Sequence, residues 1–201
     1  MFRVVLLLGL LAAVPPVVHG QAVRSDVRGP SLVVHVQQLM HANLFGTNLP
    51  PSIAAPGRET LWGIGGGLQA SYGLTQRTTL FATLDATAVD ATLARYYLLH
   101  GDVGLRLTWH SWSTPTRPYL DLAATVRSSE AQFNGQRMTA RGPGFTTGIG
   151  IQYFLSSALG IDYGIRITVG RYADLDVPGA AEPVTFEATS IRYRLGLVWF
   201  Y

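Results

Sequence analysis

Apolar side chains recur at every second position through eight separate stretches of this chain, and that period constrains the fold more than any other feature. A period of two puts alternate side chains on opposite faces of an extended strand, whereas a helix repeats every 3.6 residues. In residues 61–74 the even positions hold Trp62, Ile64, Gly66, Leu68, Ala70, Tyr72 and Leu74, while the odd ones are mostly Gly, with Gln69 and Ser71. In 78–87, Leu80, Ala82, Leu84 and Ala86 oppose Thr79, Phe81, Thr83 and Asp85. In 98–109, Leu99, Val103, Leu105, Leu107 and Trp109 oppose His100, Asp102, Gly104, Arg106 and Thr108. The same alternation runs through 118–127, 144–155, 158–170 and 189–201. Residues 31–40 make an eighth strand, with Leu32, Val34 and Val36 on one face until Gln38 interrupts it. The expected fold is all-β, an eight-stranded antiparallel up-and-down transmembrane β-barrel.

The transmembrane element of that reading comes from which residues share a face. Asp85, Asp102, Asp121 and Asp162 lie on the Gly/Thr face, as do Arg106, Arg127, Arg166, Arg192 and Arg194, and none lies on the apolar face. The apolar face carries Trp62, Tyr72, Trp109, Phe145, Tyr153, Trp199 and Tyr201 near strand ends, as an interfacial girdle would. Glycine is a poor choice for a strand face turned to water. The chain is 48% hydrophobic and 13% charged, against about 25% charge in a soluble domain. Strands of about 10 residues at 3.3 Å each, tilted by roughly 45°, cover about 23 Å, the height of the apolar band of such barrels. At eight strands the lumen is just wide enough for side chains to fill. The nine charged residues are therefore expected to form a lumen polar network, with Arg106 facing Asp121 across the 110–117 turn.

The connections alternate in length. Those at 74–77, 110–117 and 155–157 are short, and those at 42–59, 88–97, 128–143 and 171–188 are long. Short turns then face the periplasm and long loops the outside. Residues 67–75 and 148–156 echo each other, each with a Tyr shortly before a tight turn. At the other end Arg3, the apolar run 4–14, Pro15-Pro16 and Val18-His19-Gly20 read as a secretory signal peptide. The expected organisation is signal peptide 1–20, leader 21–30 and barrel 31–201. There is no Cys, hence no lipidation site and no disulfide framework. The net charge of +3 is scattered, which speaks against nucleic acid. The five dispersed His residues offer no metal site, and no cofactor is expected.

The last eight residues, Arg194 to Tyr201, resemble the C-terminal insertion signal of bacterial outer-membrane proteins, with Arg194, Gly196, Trp199 and Tyr201 in its polar, glycine and two aromatic places. With the strand count, the turns and this octet, residues 31–201 resemble the small outer-membrane β-barrel superfamily of OmpA and OmpX types. The resemblance implies a cell outer-membrane location and, as partners, outer-membrane lipid, lipopolysaccharide and the barrel-assembly machinery. Unlike OmpA itself, the chain ends at its last strand, which argues against a wall-tethering domain. Relatives are implicated in adhesion, host interaction, membrane integrity and uptake of small hydrophobic compounds.

The function expected is non-enzymatic: a side-chain-plugged barrel whose loops serve surface interaction or membrane integrity. Phe45, Tyr96, Tyr97, Phe133 and Tyr172 are loop aromatics, and Arg58, Arg95, Arg137, Arg141 and Arg171 suit contact with lipid A phosphates. A narrow pore for small compounds is one alternative. The other is an enzyme acting on lipid A acyl chains, which needs a nucleophile beside a base. Its candidates are Ser128, Ser129 or Ser190 with His41 or His100, oriented by Glu130 or Glu187, although no motif of such enzymes is visible and no catalytic residue is assigned.

Overall fold

The computed structural model describes residues 27–44, 60–90, 95–109, 114–133, 136–175 and 184–201. The signal peptide and most of the leader read from the sequence lie outside them. Eight strands follow in order: β1 (Gly29–Leu44), β2 (Thr60–Gly73), β3 (Thr78–Asp90), β4 (Arg95–Thr108), β5 (Thr116–Phe133), β6 (Gln136–Phe154), β7 (Leu159–Leu175) and β8 (Val184–Phe200). Each pairs antiparallel with its neighbour in sequence, and β1 pairs antiparallel with β8, so the sheet closes into a barrel. The closing register runs from Ser31 opposite Phe200 to Leu44 opposite Glu187. Closure leaves no strand edge with unpaired backbone groups, the condition for a sheet to stand in lipid.

The alternation read from the sequence sets the two faces. Val36, Ile64, Leu84, Val103, Val126 and Ile149 point outward at mid-height with more than half of their surface exposed. Such a belt is stable only against hydrocarbon. Aromatics mark its edges: Tyr72, Trp109 and Tyr201 towards the short turns, Trp62, Tyr97 and Phe145 towards the other end. Trp62 and Tyr72 are ten residues apart on β2, which at 3.3 Å per residue and roughly 45° tilt is about 23 Å. Gln38 keeps to the outer face of β1, half-buried between Ile64 and Tyr193.

The two tight turns use one device. Thr75 Oγ1 accepts from the backbone N–H groups of Arg77 (3.1 Å) and Thr78 (3.0 Å). Ser156 Oγ accepts in the same way from Ala158 (3.3 Å) and Leu159 (3.0 Å). These hydroxyl-closed turns are the physical content of the echo between residues 67–75 and 148–156.

The strands at the opposite end are longer than the sequence suggests. Residues 128–143, read as a loop, are almost wholly strand: the β5–β6 register continues from Ser128 opposite Arg141 to Phe133 opposite Gln136. Likewise 88–90 pairs with 95–97, and 171 and 172 pair with 187 and 186. These extensions stand above the apolar belt, where neither face needs to be apolar, so the period of two fades while the backbone ladder persists. Two irregularities mark the zone. Pro143, which has no N–H to give, falls where the β6–β7 ladder skips from Arg141 to Gly144, and a register shift lies between Tyr172 and Leu175. A charge placed on the belt should be costly in proportion to its depth: Val103→Arg is expected to cost about 2–4 kcal/mol of folding stability in lipid vesicles, and Trp109→Arg at the edge about 0–1, measured by reversible denaturant unfolding.

Candidate functional site

The inward face holds an unbroken chain of charged hydrogen bonds. Arg106 and Asp121, directly opposite on β4 and β5, meet through two parallel bonds, Nε to Oδ1 at 2.8 Å and Nη2 to Oδ2 at 3.0 Å. The remaining Nη1 of Arg106 donates to Asp162 Oδ2 on β7 at 2.7 Å. Asp162 also accepts from Tyr119 Oη (2.9 Å) and Gln152 Nε2 (3.0 Å). From Asp121 the chain continues to Arg166, whose Nη2 donates at 2.8 Å, and from there to Asp102 at 3.3 Å. Arg192 joins Asp102 (3.0 Å) to Asp85 (2.7 Å). Asp85 Oδ1 then lies 2.7 Å from His35 Nε2, and His35 Nδ1 lies 2.9 Å from Arg194 Nη2.

Uncharged groups complete it. Gln69 Oε1 accepts from Arg166 at 2.7 Å, Thr83 Oγ1 accepts from Arg166 at 3.1 Å, and the hydroxyls of Thr125, Thr146 and Thr168 follow one another at 2.6 and 2.7 Å. Every strand contributes at least one side chain, so the network ties the barrel across its lumen as well as around its wall. Side chains of this size need space. A Cβ at Gly150 or Gly164 would collide with the Tyr119 ring or hydroxyl, and one at Gly67 would collide with Asp85. The glycines of the inner face are thus seats for long polar side chains.

Eight of the nine lumen residues named from the sequence are linked by this chain. The ninth, Arg127, points inward but stands apart. Its Nη1 donates to the backbone carbonyl of Ala188 at 3.0 Å, and its guanidinium lies 4.5 Å over the Tyr172 ring. Beyond it towards the outer end, Leu39, Val89, Leu98, Ala140, Tyr172 and Ala188 form an apolar interior cluster. The sequence reading missed His35, Gln37, Gln69 and Tyr119. The parity of β1 carried the signal for the first two, since positions 33, 35, 37 and 39 oppose Val34 and Val36; Tyr119 would have followed from its place two residues before Asp121.

The buried charges do not balance. Among the described residues four buried carboxylates (Asp85, Asp102, Asp121, Asp162) face six buried guanidiniums (Arg106, Arg117, Arg127, Arg166, Arg192, Arg194). Arg194 illustrates the surplus. Among the described residues its one hydrogen-bond partner besides His35 is Gln69 Oε1, at 3.3 and 3.4 Å.

Of the residues considered for nucleophilic chemistry, Ser190 Oγ lies 3.4 Å from His100 Nε2, and both side chains are fully buried. His41 is the cross-strand partner of Ser190 in the closing register, and its side chain lies outside the described residues. Ser128, Ser129 and Glu130 sit half-buried on the β5 extension, and Glu187 is exposed and pairs with Arg171 at 3.4 Å. Tyr172, expected in a loop, lies inside the barrel, whereas Tyr97 is on the outer face of β4. Arg141 and Arg171 are exposed on the outer faces of β6 and β7. The side chains of Tyr96, Phe133, Arg95 and Arg137, and the whole of Phe45 and Arg58, fall outside the described residues.

In the terminal octet Arg194 and Gly196 face inward, Trp199 lies half-buried between Leu32 and Leu159, and the Tyr201 N–H donates to the Pro30 carbonyl at 3.1 Å.

This architecture, with charge inside and a lipid-matched belt outside, is that of the small outer-membrane β-barrels. Neisserial surface protein A (NspA) superposes with a TM-score of 0.62 at 12% identity, covering 87% of this chain and 100% of that one. OprG of Pseudomonas aeruginosa gives 0.57 at 12%, covering 88% and 98%. Ail, the attachment invasion locus protein of Yersinia pestis, gives 0.54 at 13%, covering 86% and 98%. No family model and no curated protein matches the sequence.

Two substitutions test the interior. Asp121→Ala leaves both Arg106 and Arg166 short of their shared carboxylate and should cost about 3–5 kcal/mol. Gly150→Ala intrudes on Tyr119 and should cost about 1–3 kcal/mol. Both are read from unfolding midpoints in detergent micelles.

Proposed function

We infer that this chain is a non-enzymatic outer-membrane protein with a closed interior, acting through its outer rim on the lipopolysaccharide leaflet. The observation that carries the reading is the number of long side chains that meet inside the barrel. The hydrogen-bonded chain from Asp162 to Arg194 crosses the interior, and the cluster around Leu39, Leu98 and Tyr172 lies beyond it towards the outer end. An eight-stranded barrel has room for side chains and little else.

A catalytic reading finds little support in the Ser190–His100 pair. A nucleophile must meet its substrate, and both groups are fully buried beside the interior cluster. Glu187 cannot orient His100, because it lies on the outward face of β8 while His100 points inward.

The outer rim offers a chemistry suited to the leaflet around it. Arg141 and Arg171 project from adjacent strands above Phe145 and Val169, exposed apolar residues that face each other on β6 and β7. A guanidinium at that height meets the phosphates of lipid A, to which Arg donates in bidentate fashion. On this reading the barrel braces the leaflet. The terminal octet, with Trp199 and Tyr201 at the turn-side edge, serves as the segment read by the assembly machinery.

Two measurements test the proposal. Purified barrel in planar bilayers at neutral pH should be electrically silent, and a steady conductance would sink the closed-interior reading. Arg141→Ala with Arg171→Ala should increase the sensitivity of cells to detergent with barrel levels unchanged; unaltered sensitivity would remove the rim arginines from the function.

A further inference from the structure

The contact between His35 and Arg194 has a property that no other link of the interior chain shares. An arginine nitrogen can only donate, so His35 Nδ1 must accept the bond from Arg194 Nη2 at 2.9 Å. The ring proton then sits on Nε2, which donates to Asp85 Oδ1 at 2.7 Å. The imidazole is therefore neutral in this arrangement, with one tautomer fixed from both sides. The ion pairs of the chain join arginine guanidiniums to aspartate carboxylates.

We propose that His35 is an acid-operated latch on the barrel interior: adding a proton to its Nδ1 expels the Arg194 guanidinium from its seat. The proton turns the acceptor into a donor and sets an imidazolium against a guanidinium. Among the described residues no carboxylate hydrogen-bonds Arg194; Asp85 of β3 and Asp162 of β7 attract it only through space, and Arg166 of β7 repels it. Gln69 Oε1, on β2, is 3.3 and 3.4 Å away and is shared with Arg166 of β7, itself a cation. On the far side of His35, Asp85 of β3 keeps its bond to Nε2, while its second oxygen is held by Arg192 of β8 at 2.7 Å. Gly67 of β2 and Gly196 of β8, which also lie against His35, carry no charge. Protonation thus leaves the Asp85 side intact and breaks the Arg194 side, adding a positive charge to an interior that already has six guanidiniums to four carboxylates among the described residues. The interior loosens at β8, the strand that also carries Ser190 and Arg192. The inference rests on these contacts alone and stands whether or not the barrel conducts.

The test uses the barrel folded in detergent micelles with 15N-labelled histidine, taken from about pH 8 to about pH 5, the interval in which histidine changes charge. His35 should show the Nε2–H tautomer at the alkaline end and acquire an Nδ1–H on acidification. The melting temperature should fall over the same interval by about 5 °C, the loss of one charge-assisted hydrogen bond in a protein of this size. His35→Gln keeps an oxygen for Arg194 and an N–H for Asp85 and cannot titrate, so its melting temperature should stay flat, although His100 is still present. Arg194→Gln, which removes the group to be expelled, should shrink the fall even if His35→Gln does not fold. The latch is refuted if either folded variant loses stability on acidification as the wild type does. It is equally refuted if His35 stays neutral throughout the wild-type fall.

Discussion

The arrangement of the barrel depends on carboxylates placed where two guanidiniums must share them. Asp121 holds Arg106 and Arg166, and Asp102 holds Arg166 and Arg192. Sharing follows from the ion-paired chain itself, in which Arg106, Arg166 and Arg192 each span two of the four carboxylates. It is possible because guanidinium is a fork, with enough donors to reach two acids at once. A buried ion pair adds little net stability compared with an apolar pair of equal volume, but removal of one partner leaves an uncompensated charge. The network therefore acts chiefly as a constraint on register. A slip of one residue at any strand pair would turn Asp or Arg into the lipid and Leu or Val into the lumen.

The remainder of the interior accommodates that network. Glycine at Gly67, Gly150 and Gly164 leaves space where Asp85 and Tyr119 extend. The Tyr119 ring lies 3.5 Å from the Arg106 guanidinium and covers the face of a cation that Asp121 and Asp162 pair at its edges. Arg127 is treated the same way by Tyr172. Towards the outer end the polar chain gives way to the Leu39 and Leu98 cluster, so the lumen has an apolar tier of its own.

The fold was legible because lipid and lumen impose opposite demands on alternate residues. Eight stretches, their parity and the inward set of charges all follow from the period of two. The Arg106–Asp121 pairing could be named from a symmetric turn. The strand extensions were illegible for a related reason: above the belt both faces tolerate polar residues, so 128–143 reads as loop although its backbone pairs through Phe133 and Gln136. The placement of Tyr172 inside the barrel was hidden by the same loss of contrast.

The sequence by itself determined which residues face inward, because parity is a local property of an extended chain. It could not decide which inward residues touch. Arg192 bonds Asp85, 107 positions away, and Arg194 bonds His35, 159 positions away. These contacts exist because β8 closes onto β1 and because the narrow lumen brings opposite walls within reach of one side chain. Barrel closure and the stagger of the strands are properties of the whole sheet, and no local pattern encodes them. That is why eight of the named charges are linked in one chain while Arg127 stands outside it, and why His35 takes its place between Asp85 and Arg194 only in the tertiary structure.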